Sequence, residues 1–146
     1  MRARLLAVAA AAVIAPQFAG AQPAPSTDPS RFDGQWNVRI DCPSNTEESA
    51  AKGYKYDFPA SVAQGRLSGH RGDEGTAGSL RIEGPIQADG SAELLARGNT
   101  GNPDYAAKRP SSGTPYSYRI KARFEGARGT GSRLETRVCN FVFTKQ

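Results

Sequence analysis

Apolar and polar residues alternate along most of this chain, and this period of two constrains the fold more than any other feature. In one segment, Trp36, Val38 and Ile40 alternate with Asn37 and Arg39. Successive side chains of a strand point to opposite faces of a sheet, so such a segment is a half-buried strand. About eight segments of this kind begin near residues 36, 54, 66, 80, 92, 116, 129 and 139.

Short turns join most of these segments, for example the Asp-Gly pair at 89–90, which is a strong hairpin signal. The sequence therefore predicts an all-β domain, an eight-stranded antiparallel up-and-down barrel, with a β-sandwich as the alternative. A Gly/Pro-rich stretch over 99–115 predicts a long loop. One helical turn is expected after the first strand, where Ser44 to Glu47 fit a capping box that leads through Ala50 and Ala51.

The N-terminal segment has the three parts of a secretory signal peptide. A basic start precedes an apolar run over 5–15, and small residues follow at 19–21. Spanning a bilayer needs roughly 20 apolar residues, so the run is too short for a membrane anchor. We expect a signal peptide over 1–21, a Pro/Ser-rich tether over 22–31 and the barrel domain over 32–146. The mature protein would then be periplasmic or secreted, with no integral membrane segment.

The sequence contains two cysteines, Cys42 and Cys139. In an oxidising compartment such a pair forms a disulfide, and two buried free thiols are the alternative. Cys42 ends the first predicted strand and Cys139 begins the last. Those two strands are neighbours in a closed barrel, so a disulfide between them would support closure.

Gly34-Gln35-Trp36 resembles the Gly-x-Trp signature of the calycin families, the lipocalins and avidins. The resemblance implies a barrel in which Gly34 and Trp36 are structural and the tryptophan plugs one end. It also implies that a basic residue near the last strand packs across Trp36, with Arg137 as the first candidate and Arg133 as the second. Avidins wall their biotin site with several tryptophans, whereas this chain has one, which argues against biotin binding.

Several short motifs also resemble those of small exported proteobacterial β domains, a group to which no activity is assigned. They occur at residues 32–36, 53–59, 89–92, 113–118 and 139–141.

Catalytic chemistry is sparse in this sequence. His70 is the single histidine, and one histidine beside two paired cysteines cannot form a Cys/His zinc site. We therefore predict no catalytic residue, no metal and no cofactor.

The net charge is +5, with the excess of basic residues in the C-terminal half. Such a half could attract polyanions, but export argues against nucleic acid as a partner.

Four tyrosines, Tyr54, Tyr56, Tyr116 and Tyr118, occupy inward positions of two predicted strands. They either pack the core or wall a ligand pocket at the barrel mouth. The leading hypothesis is an exported, non-enzymatic protein that binds a small apolar or aromatic molecule there, with Tyr56 and Tyr118 deepest.

Two alternative functions remain open. One is a protein–protein interaction module, for example an inhibitor of a periplasmic enzyme, acting through the 99–115 loop. The other is a barrel enzyme that uses tyrosine, arginine and His70. A cavity of several hundred Å³ would favour ligand binding, a filled barrel would favour the module, and a polar pocket converging on His70 would favour the enzyme.

Overall fold

The computed structural model describes residues 27–45, 50–133 and 135–146. The predicted signal peptide lies outside these residues, as do Thr46 and Glu47 of the predicted capping box. Eight strands are formed: β1 (Gly34–Cys42), β2 (Tyr54–Ala63), β3 (Arg66–Arg71), β4 (Leu80–Pro85), β5 (Ser91–Asn99), β6 (Pro115–Glu125), β7 (Arg128–Arg133) and β8 (Cys139–Lys145). Short 3₁₀ helices span Pro29–Phe32 and Pro103–Tyr105.

Each strand pairs antiparallel with the next one along the chain, and β8 pairs with β1 to close the sheet. The predicted eight-stranded up-and-down barrel is therefore confirmed. Closure pairs the edges that an open sheet would expose. Among the described residues, no helix is long and apolar enough to cross a membrane.

The alternating pattern directs one face of each strand into the barrel. In β1, Trp36, Val38 and Ile40 are buried, whereas Arg39 lies outside and pairs with Asp57 on β2 at 2.9 Å. An exposed pair of this kind contributes little to stability. The inward apolar face is therefore the main stabilising feature of the barrel.

One end of the barrel, here called the closed end, is plugged by aromatic rings. The indole NH of Trp36 donates a hydrogen bond to the Phe32 carbonyl at 2.8 Å, and the Trp36 ring meets Phe124 edge-on at 5.5 Å between ring centres. All three side chains are buried. Gly129 on β7 gives the Phe124 ring its space, since a Cβ there would lie 2.7 Å from that ring.

The expected contact between Arg137 and Trp36 is wrong. Arg137 precedes β8, and the start of β8 lies beside the end of β1 because the two strands are antiparallel. Between Trp36 and Cys42, β1 spans about 20 Å at the usual strand rise. The Arg137 guanidinium donates to the carbonyl of Cys42 and lies 5.1 Å from the centre of the Tyr54 ring. Arg133 lies over Tyr118 instead.

The predicted disulfide is confirmed. Cys42 and Cys139 are bonded, with 4.3 Å between their Cα atoms, and the described residues contain no free cysteine. The bond joins the first and last strands across the closure of the barrel. The two cysteines are 97 residues apart in the sequence.

The predicted helical turn does not extend through Ala50 and Ala51. Ala51 forms an isolated bridge with Asn45, and Ala50 has a positive φ of 47°.

At the N-terminal side, Pro29–Phe32 form a 3₁₀ helix that begins within the predicted tether, with the Asp28 side chain capping it.

Candidate functional site

The end opposite the closed end, here called the mouth, holds a cavity of about 510 Å³. Tyr54 and Tyr56 begin β2, and Tyr116 and Tyr118 begin β6. In an up-and-down barrel, even-numbered strands run in the same direction, so both pairs reach the same end. All four predicted tyrosines line this mouth cavity.

Tyrosine and phenylalanine are separated within the barrel. The chain contains five tyrosines, and all five line the mouth cavity, the fifth being Tyr105 from the long loop. The described phenylalanines are buried in the core. Rings that carry hydroxyl groups thus lie at the cavity, where the hydroxyl can reach polar groups or solvent, and purely apolar rings lie in the core.

The tyrosines of each pair are stacked. Ring centres are 5.3 Å apart for Tyr54 and Tyr56, and 5.9 Å apart for Tyr116 and Tyr118. The deeper member of each pair contacts the phenylalanine core, at 6.4 Å between Tyr56 and Phe58. Tyr118 is 7% exposed. One stacked tyrosine pair on β2 and another on β6 therefore form two parts of the cavity wall.

Three phenol groups of the cavity, those of Tyr56, Tyr116 and Tyr118, are held in the protonated form. Burial raises the pKa of Tyr116 to about 12, and burial likewise raises the pKa of Tyr56 and of Tyr118. The Tyr116 hydroxyl donates to the Ser79 carbonyl at 3.3 Å. A phenol has one O–H to donate, so at neutral pH the hydroxyl of Tyr118 can donate a hydrogen bond to a ligand, whereas that of Tyr116 is already donated to Ser79.

Gly98 on β5 positions Tyr116, and the sequence reading did not identify it. It faces Tyr116 across the β5–β6 ladder. A Cβ at Gly98 would lie 2.6 Å from the Tyr116 hydroxyl oxygen and 2.2 Å from the Ser79 carbonyl oxygen. Glycine is therefore required for the phenol to lie against β5.

Two arginines that sequence reasoning did not assign to the cavity also line it. The guanidinium carbon of Arg71 lies 4.4 Å from the centre of the Tyr56 ring, and that of Arg133 lies 4.0 Å from the Tyr118 ring. Arg71 shares the inward parity of Leu67 on β3, and Arg133 ends β7 at the mouth. Their inward parity at strand ends is the signal in the sequence that points to the cavity, and it competes with the usual solvation of charged residues on strands.

Arg137 links several backbone segments at the mouth through hydrogen bonds. Its guanidinium donates to the carbonyls of Tyr105 at 2.7 Å and Lys52 at 2.7 Å, and also to those of Cys42 and Pro43. These bonds tie the segments after β1 and β5 to the start of β8. Its Nε–H is buried and has no hydrogen-bond partner in the part of the chain that the structure describes, and burial lowers the pKa of Arg137.

The 99–115 loop forms part of the cavity wall. The Asn99 amide donates to the Gly113 carbonyl at 2.9 Å, and the Thr100 N–H donates to the Thr114 carbonyl at 2.8 Å. Lys52 and Asp104 form an ion pair at 2.7 Å that joins the loop to the segment after β1. The loop is therefore fixed across the mouth.

The electrostatics of the cavity are one-sided. Arg71, Arg133 and Arg137 line it, and the described residues contribute no aspartate or glutamate to its lining. The ion pairs of the described chain involve other cations, such as Arg39, Arg81 and Arg119. The mouth is thus a cationic site without a counter-charge from the described residues.

His70 does not belong to the mouth cavity. It is exposed at an outward position of β3, beside an outer groove of about 890 Å³ that Tyr116 also borders. Arg81 and Glu83 of that groove pair with each other at 3.2 Å. The tyrosines, arginines and His70 of the enzyme alternative therefore do not converge in the mouth cavity. Among the described residues, no cluster of His, Cys, Asp or Glu could hold a metal ion.

Comparisons with protein-family models, curated proteins and solved structures found no match to this chain.

The residues that line the cavity indicate which chemical groups it could bind. Aromatic faces bind planar apolar groups, and phenol and guanidinium groups donate hydrogen bonds. The cavity volume lies within the range typical of small-molecule sites.

Proposed function

We propose that this protein binds a small aromatic molecule in the mouth cavity, as an exported binding protein without catalytic activity. The observation that carries the proposal is a cavity of about 510 Å³ lined by every tyrosine of the chain. A core requires no hydroxyl groups, and phenylalanine would fill it equally well. Five phenols gathered at one end favour a surface that contacts both a ring and polar groups.

The cavity also favours ligand binding over the interaction-module alternative. A module that acts through the 99–115 loop needs no space beneath that loop. Here Asp104 and Tyr105 of the loop are bonded to Lys52 and Arg137, which lie outside it, and a cavity lies beneath the loop. This arrangement suits a small molecule held between the loop and the barrel.

Export is part of the proposal, and the Cys42–Cys139 disulfide supports it because disulfides persist in oxidising compartments. We expect N-terminal sequencing of protein from the periplasm or the medium to begin at Gln22, within a few residues. We also expect no alkylatable thiol in that protein. Recovery of intact Met1 in the exported fraction would contradict export with cleavage.

A thermal-shift screen tests binding. The panel consists of naphthalene carboxylate, naphthalene carboxamide and naphthylmethylammonium, which share one ring system and differ in charge. A ligand present at 100 times its Kd adds about 2.7 kcal/mol of stability, which corresponds to a Tm increase of about 10 °C for a domain of this size. Isothermal titration calorimetry then measures each Kd.

A cavity-filling variant identifies the site. Ala107 lines the mouth cavity, so Ala107→Trp should fill it and abolish the ligand-induced Tm shift. Ala127→Trp is the matched control, because Ala127 is an exposed alanine near the closed end, and it should keep the shift. The proposal fails if no panel member raises the Tm, or if the shift survives in Ala107→Trp.

A further inference from the structure

We infer that the ligand of the mouth cavity is a small aromatic carboxylate, held by the guanidinium groups of Arg71 and Arg133; this inference rests on the proposed function. The tyrosine rings would hold the aromatic part of the ligand. The two guanidinium groups would hold its carboxylate.

The first observation concerns the positions of these two guanidinium groups. Each lies over a tyrosine ring, at 4.4 Å for Arg71 and 4.0 Å for Arg133. An arginine over an aromatic face keeps its N–H edges available for hydrogen bonds. The ring contact therefore fixes the guanidinium without consuming its donors.

The second observation concerns the donors that remain. Arg71 donates through Nη1 to the Gly78 carbonyl at 2.9 Å, and Arg133 donates through Nε to the Glu135 carbonyl at 3.0 Å. These are the hydrogen bonds that the two side chains make within the described chain. The remaining donors are available to a ligand. They are both Nη groups of Arg133 and the Nε–Nη2 edge of Arg71. Such edges match the two oxygens of a carboxylate.

The third observation is the uncompensated charge. The cavity holds three arginines, and no carboxylate of the described residues lines it. Arg133 repels Arg137, whose buried side chain has carbonyl acceptors but no carboxylate and keeps one N–H without a partner among the described residues. A buried cation without a counter-charge is costly. An anionic ligand supplies the missing charge, whereas a cation would add to the repulsion.

The cavity walls favour a carboxylate on an aromatic ring over a fully hydrated anion such as phosphate. Stacked tyrosine pairs provide apolar area on two sides of the cavity, and an inorganic ion would leave that area in contact with water. A planar ring uses both the aromatic faces and the guanidinium edges. The Tyr118 hydroxyl, which lines the same cavity, can donate a further hydrogen bond to the carboxylate.

The test measures the affinity of the unmodified mature protein for the three naphthalene compounds and for inorganic phosphate. We expect the carboxylate to bind at least tenfold more tightly than the carboxamide, because hydrogen bonds to charged groups are the stronger ones. The ammonium compound and phosphate should bind more weakly than the carboxamide. Equal affinity for carboxylate and carboxamide, or a preference for phosphate, overturns this inference but leaves a binding barrel. Binding of none of the four overturns the proposed function itself.

Charge-neutral variants assign the anion to its residues. Arg133→Met and Arg71→Met keep a long side chain and remove the guanidinium, and each should weaken carboxylate binding about tenfold while changing carboxamide binding less than twofold. Arg128→Met is the matched control, because Arg128 lies on the same strand as Arg133 but at its other end and is exposed. If Arg133→Met does not fold, Arg71→Met alone tests the assignment, because Arg71 is exposed and its substitution should not prevent folding. Unchanged carboxylate affinity in the folded variants refutes the assignment.

Discussion

Removing the Cys42–Cys139 disulfide is expected to weaken the barrel strongly without opening it. The closure itself is made by the β1–β8 ladder, which runs from Trp36↔Lys145 to Asp41↔Asn140 and does not require the sulfur atoms. The cross-link acts mainly on the unfolded chain. For a loop of about 100 residues, the chain-entropy relation gives about 4.7 kcal/mol at 25 °C, and measured values for native disulfides lie at about 2–5 kcal/mol.

The perturbation is the double variant Cys42→Ala/Cys139→Ala. We expect its free energy of unfolding to fall by about 2–5 kcal/mol, a large part of the stability of a single domain. Urea unfolding can be followed through the single tryptophan, since Trp36 is 1% exposed and must change environment on unfolding. The m value should rise, because the unfolded chain without the cross-link exposes more surface.

Reduced wild-type protein is the matched control, because it loses the cross-link but keeps both sulfur atoms in their buried sites. Its free energy of unfolding should agree with that of the variant to within about 1 kcal/mol, the remainder being the lost side-chain packing. A fall of less than about 1 kcal/mol with an unchanged m value would refute the reasoning. It would mean that the cross-link does not restrict the unfolded chain.

Three further predictions concern single side chains. Tyr118→Phe should leave the Tm of the free protein nearly unchanged and weaken naphthalene carboxylate binding by about 1–3 kcal/mol; equal calorimetric affinities for variant and wild type would count against a ligand contact. Trp36→Ala removes the fluorescent probe, so its urea unfolding is followed by circular dichroism; it should cost about 3–5 kcal/mol, since the side chain is buried at the closed end, and an unchanged midpoint would contradict a structural role. Gly98→Ala should displace Tyr116 and lower both the Tm and the affinity, and a variant that binds normally would refute the positioning role of Gly98.

Much of the fold could be predicted because period-two alternation directly reports which residues face inward. It predicted the strands and their number, and it assigned Tyr54 and Tyr118 to the inner face. The disulfide was predicted on other grounds, from two cysteines and an expected oxidising compartment. The antiparallel meander then determines that β2 and β6 run in the same direction. The grouping of four tyrosines at one end therefore follows from the pattern and the topology together.

The rest of the site depends on features that alternation does not encode. Arg71 and Arg133 share the inward parity of their strands, but charged residues on strands are usually solvated, so the pattern alone favours the outside. The position of Arg137 depends on its bonds to backbone carbonyls of distant loops, such as those of Lys52 and Tyr105. Gly98 becomes significant only once Tyr116 is known to lie against it.

The direction of the strands has a practical consequence for attachment. The 3₁₀ helix at Pro29–Phe32 and the last described residue, Gln146, both lie at the closed end, where the Gln146 N–H bonds the Gln35 carbonyl at 2.9 Å. A fluorescent partner or a solid support fused on either side of the barrel would therefore hold the mouth facing outward. Such a fusion would suit an immobilised sensor, because ligand entry would not pass the point of attachment.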